Sequence, residues 1–458
     1  MTHLTSHPLP ELAVGMTAEV TRLCVPDDLY VFAHASGNLN PMHLPREDGD
    51  GDGAPEAVAP SMWLAAVLSA VLGNHLPGPG TLYRSQSLRF LGRVAEGESV
   101  TAKVRITALS DDGIVTLDTW IERADGARVA EGVAEVIPPA RALSFDLDDV
   151  PGLTVQRHAQ FDMLLKAAEA YPPIPCAVVA PEEETALQGA LLGADHTLIR
   201  PILVGDTARI VAAAQALGRD VSGLEIVHEA THGNAAARAV RLVHEGRARA
   251  LMKGHMHTDD LLRHVVKREG GLRTGRRLSH VFVMDVPGLT HLLAVTDAAI
   301  NIAPDLEAKR DITQNAIDVM RALGIAVPRV GVLSAVETIN PAIPSTLDAA
   351  ALSKMADRGQ ITGGMVDGPL AMDNAIDMGA ARTKGIKGLV AGQAEILVAP
   401  NLEAGNMIAK ELTFLAHAEA AGLVVGAQVP IILTSRADSE TARLASCAVA
   451  ALFAEHTS

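Results

Sequence analysis

From residue 156 onward the chain repeats one pattern: a short apolar run, a small or polar turn, then a longer stretch with helical spacing. The runs are CAVVAP, TLIRPILVGD, GLEIVHEA, RALMKG, HVFVMDV, VGVLSAV, GMVDGP, AEILVAP and VPIILTS. Unbroken apolar runs suit strands buried on both faces, and strand, helix, strand repetition requires crossover connections. The expected fold is a doubly wound, largely parallel α/β sheet. A segment of roughly three hundred residues exceeds one ordinary domain, so two lobes flanking a cleft are expected, with lobe boundaries near 285 and 428.

Two of these runs end the chain. Strands are expected over 396–399 and 429–433, each leading through a small-residue turn into a helix, with both turns on one working edge of the sheet. In the second turn Ser435 and Arg436 fall between strand and helix, where free N–H groups and a partial positive charge favour an anion. Asp438 follows two residues later. A hydroxyl, a fixed cation and a carboxylate suit a reaction that handles phosphate and moves a proton. In isolation SRAD reads better as helix-start chemistry, with Ser435 or Asp438 as N-cap and Arg436 solvated; only its surroundings shift that reading.

Residues 1–140 differ in texture. A helix is expected over 58–72, followed by the alternating segments TLYRSQSLRFLG, ESVTAKVRITALS, GIVTLDTWIERADG and ARVAEGVAEVIPP with Gly and Asp-Gly turns. This is an α+β pattern, an antiparallel sheet with one long helix packed on it. The stretch PPARALSFDLDDVPG lacks periodicity, and residues 141–155 are the expected linker to the domain over 156–458. EDGDGDG imitates the start of an EF-hand loop, but its twelfth position is Ala59 where a bidentate Glu is required, so it reads as a solvated acidic loop.

The net charge of −16 argues against nucleic acid or an anionic membrane as partner. No apolar run is long enough to span a bilayer, and MTHLTSHPLPEL lacks the basic start and apolar core of a signal peptide, so a cytoplasmic location is expected. Cys24, Cys176 and Cys447 are far apart with no CxxC spacing, which indicates neither a disulfide framework nor a zinc site. His255 and His257 lack further ligands at a recognised metal spacing, and GGMVDG is neither a P-loop nor a GxGxxG run. No metal and no cofactor are expected.

Two resemblances add to this reading. VFAHASGNLNPMHLP with GTLYRSQSLRFLGRVAEGESV resembles the MaoC-like enoyl-CoA hydratases of the hotdog fold, whose hallmark is a Gly-Asp-x-Asn-Pro-x-His run. His43 matches the catalytic histidine, but Asn38 stands where the family has its catalytic Asp. A carboxamide has no basic form that could take a proton from water. The resemblance therefore implies a domain that binds, or at most feebly hydrates, enoyl-CoA.

The segments TDAAINIAPDLEAKRDITQNAI, SAVETINPAIPSTLDAAALSKMADRGQITGGMVDGPLAMDNAI, APNLEAGNMIAKEL and TSRADSE are similar to the phosphate acetyl/butyryltransferase family. Glu337, Asn340, Pro341 and the stretch 367–373 lean toward its butyryl branch. The resemblance implies a homo-oligomer that exchanges an acyl group between coenzyme A and phosphate, so acyl-CoA, CoA, phosphate and acyl phosphate are substrates, not cofactors. It places Ser435 and Arg436 on the acyl phosphate, Arg263 on phosphate, and Asp438 or Glu440 as proton acceptor. It places Asn401, Gly405 and Asn406 at a substrate-binding turn and Thr296 and Asp297 on the cleft wall. Two rival readings stand beside it: a hydratase carrying a degenerate transferase, and a hotdog module that only senses CoA or drives assembly.

Overall fold

The computed structural model describes residues 3–54, 56–146, 153, 155–434 and 438–457. The chain divides into two compact units, Met1–Val155 and Gln156–Ser458. No helix among the described residues is long and apolar enough to cross a membrane.

The first unit contains β1 (His3–Thr5), β2 (Thr17–Leu23), α1 (Pro26–Ser36), α2 (Ser61–Asn74), β3 (Leu82–Phe90), β4 (Ser99–Leu109), β5 (Val115–Arg123), β6 (Arg128–Ile137) and β7 (Ser144–Asp146). Strands β2-β4-β5-β6-β3 form an antiparallel sheet in that order. In β4, Val100, Ala102, Val104 and Ile106 are buried while their neighbours reach solvent, the period-two signature of a half-buried strand. The buried faces close on α2, whose Trp63, Leu64, Val67, Leu68, Val71 and Leu72 lie in the same core. This helix starts later than residue 58, because Val58 bridges to Ala95 and Pro60 restricts the residue before it to extended backbone. Part of the expected linker is also structured: β7 pairs antiparallel with β1, Ser144 opposite Thr5.

The second unit contains α3 (Ala159–Glu169), β8 (Ile174–Val179), α4 (Glu184–Asp195), β9 (Ile199–Gly205), α5 (Thr207–Ala216), β10 (Glu225–His228), α6 (His232–His244), β11 (Ala250–Lys253), α7 (Thr258–Val265), β12 (Ser279–Asp285) and β13 (Leu293–Thr296). It continues with α8 (Leu306–Ala322), β14 (Arg329–Leu333), α9 (Pro344–Asp357), β15 (Met365–Leu370), α10 (Met372–Ile376), α11 (Met378–Thr383), β16 (Ile396–Val398), α12 (Leu402–Phe414), β17 (Glu419–Val425), β18 (Ile431–Ile432) and α13 (Glu440–His456).

One eleven-stranded sheet runs through the unit in the order β10-β9-β8-β11-β18-β17-β12-β13-β16-β14-β15. It is parallel except around its middle, where β17 is antiparallel to both β18 and β12, and β12 is antiparallel to β13. Following these pairings, β8, β9, β10, β11 and β18 point one way, while β13, β14, β15 and β16 point the other. The turns after β16 and after β18 therefore leave opposite edges of the sheet, which corrects the expectation of one working edge. Period and polarity fix which residues form strands, and neither carries strand direction.

Candidate functional site

The first edge is where β8, β11 and β18 end side by side. Gly254, just past β11, donates to the Val179 carbonyl at 2.8 Å, and His255 N donates to that of Ala180 at 2.7 Å. A Cβ on Gly254 would lie 2.4 Å from both carbonyl oxygens, so only glycine lets this exit fold over that of β8. The wrap carries Lys253 and His255 to a cavity also lined by Glu183, Thr185, Thr434 and Arg443. The cavity measures about 30 Å³, room for one small polar molecule. Ser435 is bonded directly to Thr434; Ser435 and Arg436 themselves lie outside the described residues.

His255 Nδ1 meets Glu183 Oε2. A carboxylate only accepts, so Nδ1 is the donor and Nε2 is the nitrogen that can take a proton. Behind this pair, the buried Glu182 carboxylate accepts from Asp206 N at 3.0 Å, His232 Nε2 at 3.1 Å and Arg209 Nη1 at 3.2 Å. Burial pushes the Glu182 carboxyl up, but these bonds outweigh it and hold the group below its ordinary value. The His232 ring stands edge-on to His255 at 6.3 Å between centroids.

The helix-start alternative for SRAD is corrected in detail. The N-cap of α13 is Ser439, whose hydroxyl accepts from Ala442 N at 3.0 Å and donates to Glu419 at 2.6 Å. Asp438 therefore stands one residue before the cap rather than at it, and Ser435 lies outside the described residues. Asp438 is half-buried; Glu440 is exposed in the first helical turn and accepts from Gln188 at 2.5 Å. Arg443, one turn further on, is buried and reaches the cavity past Gly189, where a Cβ would stand 3.1 Å from its Cδ. Arg263 lies on α7 with its side chain 71% exposed and Asp260 3.5 Å away.

The other edge gathers the remaining predicted residues. Asp297, buried at the end of β13, accepts from the backbone N of His280 (3.3 Å), Ala299 (3.0 Å), Ile300 (3.1 Å) and Asn301 (3.0 Å). Its carboxylate is thus the frame of the 297–301 loop. Thr296 Oγ1 donates to the His280 carbonyl at 2.7 Å. Asn401 caps α12 by accepting from Ala404 N at 2.9 Å, and Asn406 Nδ2 donates to the Ala298 carbonyl at 3.1 Å. Gly405 faces the Asp297 carbonyl, which a Cβ would approach to 2.3 Å. The structure brings Thr296, Asp297, Asn401, Gly405 and Asn406 together, and sets them apart from Thr434 on the first edge.

Sequence reasoning missed Lys253, Glu183 and Arg443 and set His255 aside. The two strand ends they flank were legible as runs, so the neighbouring polar residues at each exit were the available signal.

In the first unit, His43 Nδ1 donates to the Val58 carbonyl at 2.7 Å, leaving Nε2 as the basic nitrogen. Asn38 is exposed, and its Oδ1 accepts from Asn40 N at 3.3 Å within its own turn. Asn40 in turn accepts from Met42 N at 3.2 Å, capping the short turn that presents His43. Asp48 spends its carboxylate on Gly53 N at 2.8 Å and Gly51 N at 2.6 Å, which hold it below its ordinary value, so EDGDGDG is closed largely on itself.

Residues 215–451 match the family described as "Phosphate acetyl/butaryl transferase", and residues 7–115 match the "MaoC like domain". The chain is 60% identical to the phosphate acetyltransferase of Rhizobium meliloti over 296 residues, 65% of this chain and 94% of that protein. It is 46% identical to the phosphate butyryltransferase of Clostridium acetobutylicum over 278 residues, 61% of this chain and 92% of that protein. Among solved structures, a branched-chain phosphotransacylase from Enterococcus faecalis V583 superposes with a TM-score of 0.55 at 31% identity, covering 62% of this chain and 99% of that one.

Proposed function

Because the chain belongs to the phosphate acetyl/butyryltransferase family, we propose that its second unit exchanges a short acyl group between coenzyme A and inorganic phosphate. In the synthetic sense of the step, the CoA sulfur bonds to the carbonyl carbon of an acyl phosphate. The carbon–oxygen bond to phosphate breaks, phosphate departs, and the thiol proton passes to a base. The carbonyl oxygen gains charge in the tetrahedral transition state and phosphate carries charge throughout, so cations must stand at the strand exit.

The observation that supports this reading is the convergence of Lys253, His255 and Arg443 on the cavity beside Thr434, one residue before Ser435. Ser435 and Arg436 are assigned to the carbonyl and phosphate, and Arg263 to phosphate. The proton goes to Asp438 or to His255 Nε2, and Asp438→Asn and His255→Gln separate them. The base is the residue whose loss removes the acidic limb of the pH profile of kcat/KM. Glu440, held by Gln188 on an exposed helical turn, is the weaker candidate.

The decisive assay is phosphate- or arsenate-dependent loss of the thioester in acetyl-CoA and butyryl-CoA. A rate that ignores phosphate with both substrates overturns the proposal. The same series ranks acetyl against butyryl.

For the first unit we infer acyl-CoA binding without substantial hydration. The support is Asn38, a carboxamide turned into its own backbone where a carboxylate would be needed. Rapid hydration of crotonyl-CoA that is abolished by His43→Ala would refute this reading.

A further inference from the structure

Strands β8, β9 and β10 enter the sheet side by side, and a cavity of about 510 Å³ opens at that edge, opposite to their exits. Its floor is one face of the sheet. Pro175 stands opposite Arg200 and Ile202 opposite Glu225 in parallel register, and residues two apart on a strand share a face, so these four point the same way. Further along, Ala177, Val179 and Val204 continue the face and share a core with Ala235, Ala236 and Ala239 of α6. That helix stops at His244 and leaves the entry end of the face uncovered. Its last carbonyls are already taken: Glu245, Gly246 and Arg247 donate their N–H groups to the Arg241, Val243 and Leu242 carbonyls at 2.9 Å each, so the negative end of the helix is muted toward the cavity.

Arg200 is exposed and has no hydrogen-bond or ion-pair partner among the described residues. On the flanking segments the guanidinium groups of Arg219, Arg238 and Arg249 each meet a carboxylate, which sets Arg200 apart. Arg247, which also lines the cavity, is paired with Glu225, and the neighbouring Glu245 is held by Arg238 at 2.5 Å. Two guanidinium groups against one lining carboxylate leave one positive charge, at Arg200. The pairing occupies Oε1 of Glu225 and leaves Oε2 able to accept from a ligand hydroxyl.

These groups describe a ligand with an oxyanion for the free guanidinium fork, hydroxyls for Glu225, and a body that lies against Pro175 and Leu224. A phosphorylated sugar carries all three, and a carboxylate that holds ribose hydroxyls is a recurrent arrangement at nucleotide sites. The volume is far more than a lone phosphate needs and suits a small organic molecule. Gly223 adds room on the rim, since a Cβ there meets nothing within 4 Å.

We propose that this cavity binds a phosphorylated sugar, free or as part of a mononucleotide, apart from the acyl-exchange chemistry. Reacting ligands in open α/β sheets gather at the carboxyl ends of the strands, and this cavity lies at the amino ends. The six residues of β8, roughly 20 Å, separate it from the exits where Lys253 and His255 gather.

Calorimetry on the full chain with ribose 5-phosphate, adenosine 5′-monophosphate and unphosphorylated ribose tests this. Saturable heat is expected with at least one phosphorylated ligand and none with ribose. Arg200→Ala changes an exposed side chain and is expected to raise Kd at least about tenfold, the factor that one charged hydrogen bond supplies. Gly223→Leu is expected to abolish binding by filling the cavity while melting like the wild type, because its Cβ has open space and its backbone is not left-handed. Should that variant melt early, Arg200→Ala decides alone. Binding of ribose 5-phosphate, with or without the nucleotide, assigns the site to the sugar phosphate; binding of the nucleotide alone assigns it to mononucleotides. Absence of saturable heat with both phosphorylated ligands overturns the proposal. A Kd that Arg200→Ala or a normally melting Gly223→Leu leaves unchanged overturns it as well, since the ligand then sits elsewhere on the chain.

Discussion

His280 makes the second unit acid-sensitive in a way that a single substitution isolates. It lies on β12 with 2% of its surface exposed, its ring edge-on to Phe282 at 4.3 Å, and its Nδ1 has no hydrogen-bond partner. Burial holds its pKa down to about 4 from 6.5, with the nearby Asp297 carboxylate pulling weakly upward. Between those values the unfolded chain binds a proton that the folded chain refuses, so stability is full above pH 6.5 and is lost as pH falls toward 4. The gap, at roughly 1.4 kcal/mol per pH unit, amounts to on the order of 3 kcal/mol at pH 4 and about 2 kcal/mol at pH 5. Urea midpoints from pH 7.5 down to 4.5 for wild type and His280→Gln test this. Other carboxylates titrate alike in both proteins, so the difference between the two curves reports His280. The variant is less stable at neutral pH, and the gap between the proteins is expected to narrow on acidification. Curves that run parallel through this range refute the reasoning.

Further outcomes follow from close contacts and buried groups. Gly405→Ala puts a methyl 2.3 Å from the Asp297 carbonyl oxygen, against backbone that five hydrogen bonds to one carboxylate hold in place. Despite a better helix propensity it should destabilise by about 1–3 kcal/mol, read as an earlier melting transition, and raise KM. Glu395 grips Arg329 through its Nη2 at 2.8 Å, Nε at 3.2 Å and backbone N at 2.9 Å with little exposure. Glu395→Ala leaves that guanidinium only Gln393, whose Oε1 accepts from Nη1 at 2.9 Å, and should cost about 3 kcal/mol, with Glu395→Gln milder in the same denaturation assay. All three cysteines are buried, and burial pushes Cys24 up to about 11, Cys447 up to about 12, and Cys176 well above its ordinary value. A thiol reagent should therefore leave the folded protein unlabelled and titrate three thiols in urea, which keeps the protein silent in a CoA-release assay.

Legibility followed the reach of local signals. The apolar runs behind β8, β11, β16 and β18 stood out, as did the alternation of β4 and the apolar body of α2. The strand β17, EAAGLVV, was hidden because its small residues continue the alanine-rich stretch that precedes it. The four-residue β13 offers too little length for any period to register. Within the site, PNLEAGN and TSR were visible as turns after strands, but nothing in a one-dimensional pattern says that the two strands run in opposite directions. Glu183 and His255 are 72 positions apart and meet only because β8 and β11 are neighbours.

The pairing of β1 with β7 has a bearing on how this polypeptide can be divided. It ties the start of the first unit to its end, Leu4 opposite Phe145, so the chain enters and leaves that unit side by side. Every strand of the eleven-stranded sheet comes from residues after 156. Among the described residues no strand pairing joins the two units, so dividing the chain between Asp146 and Gln156 interrupts none of the described ladders. Each unit expressed alone is expected to keep the strand pairings described for it.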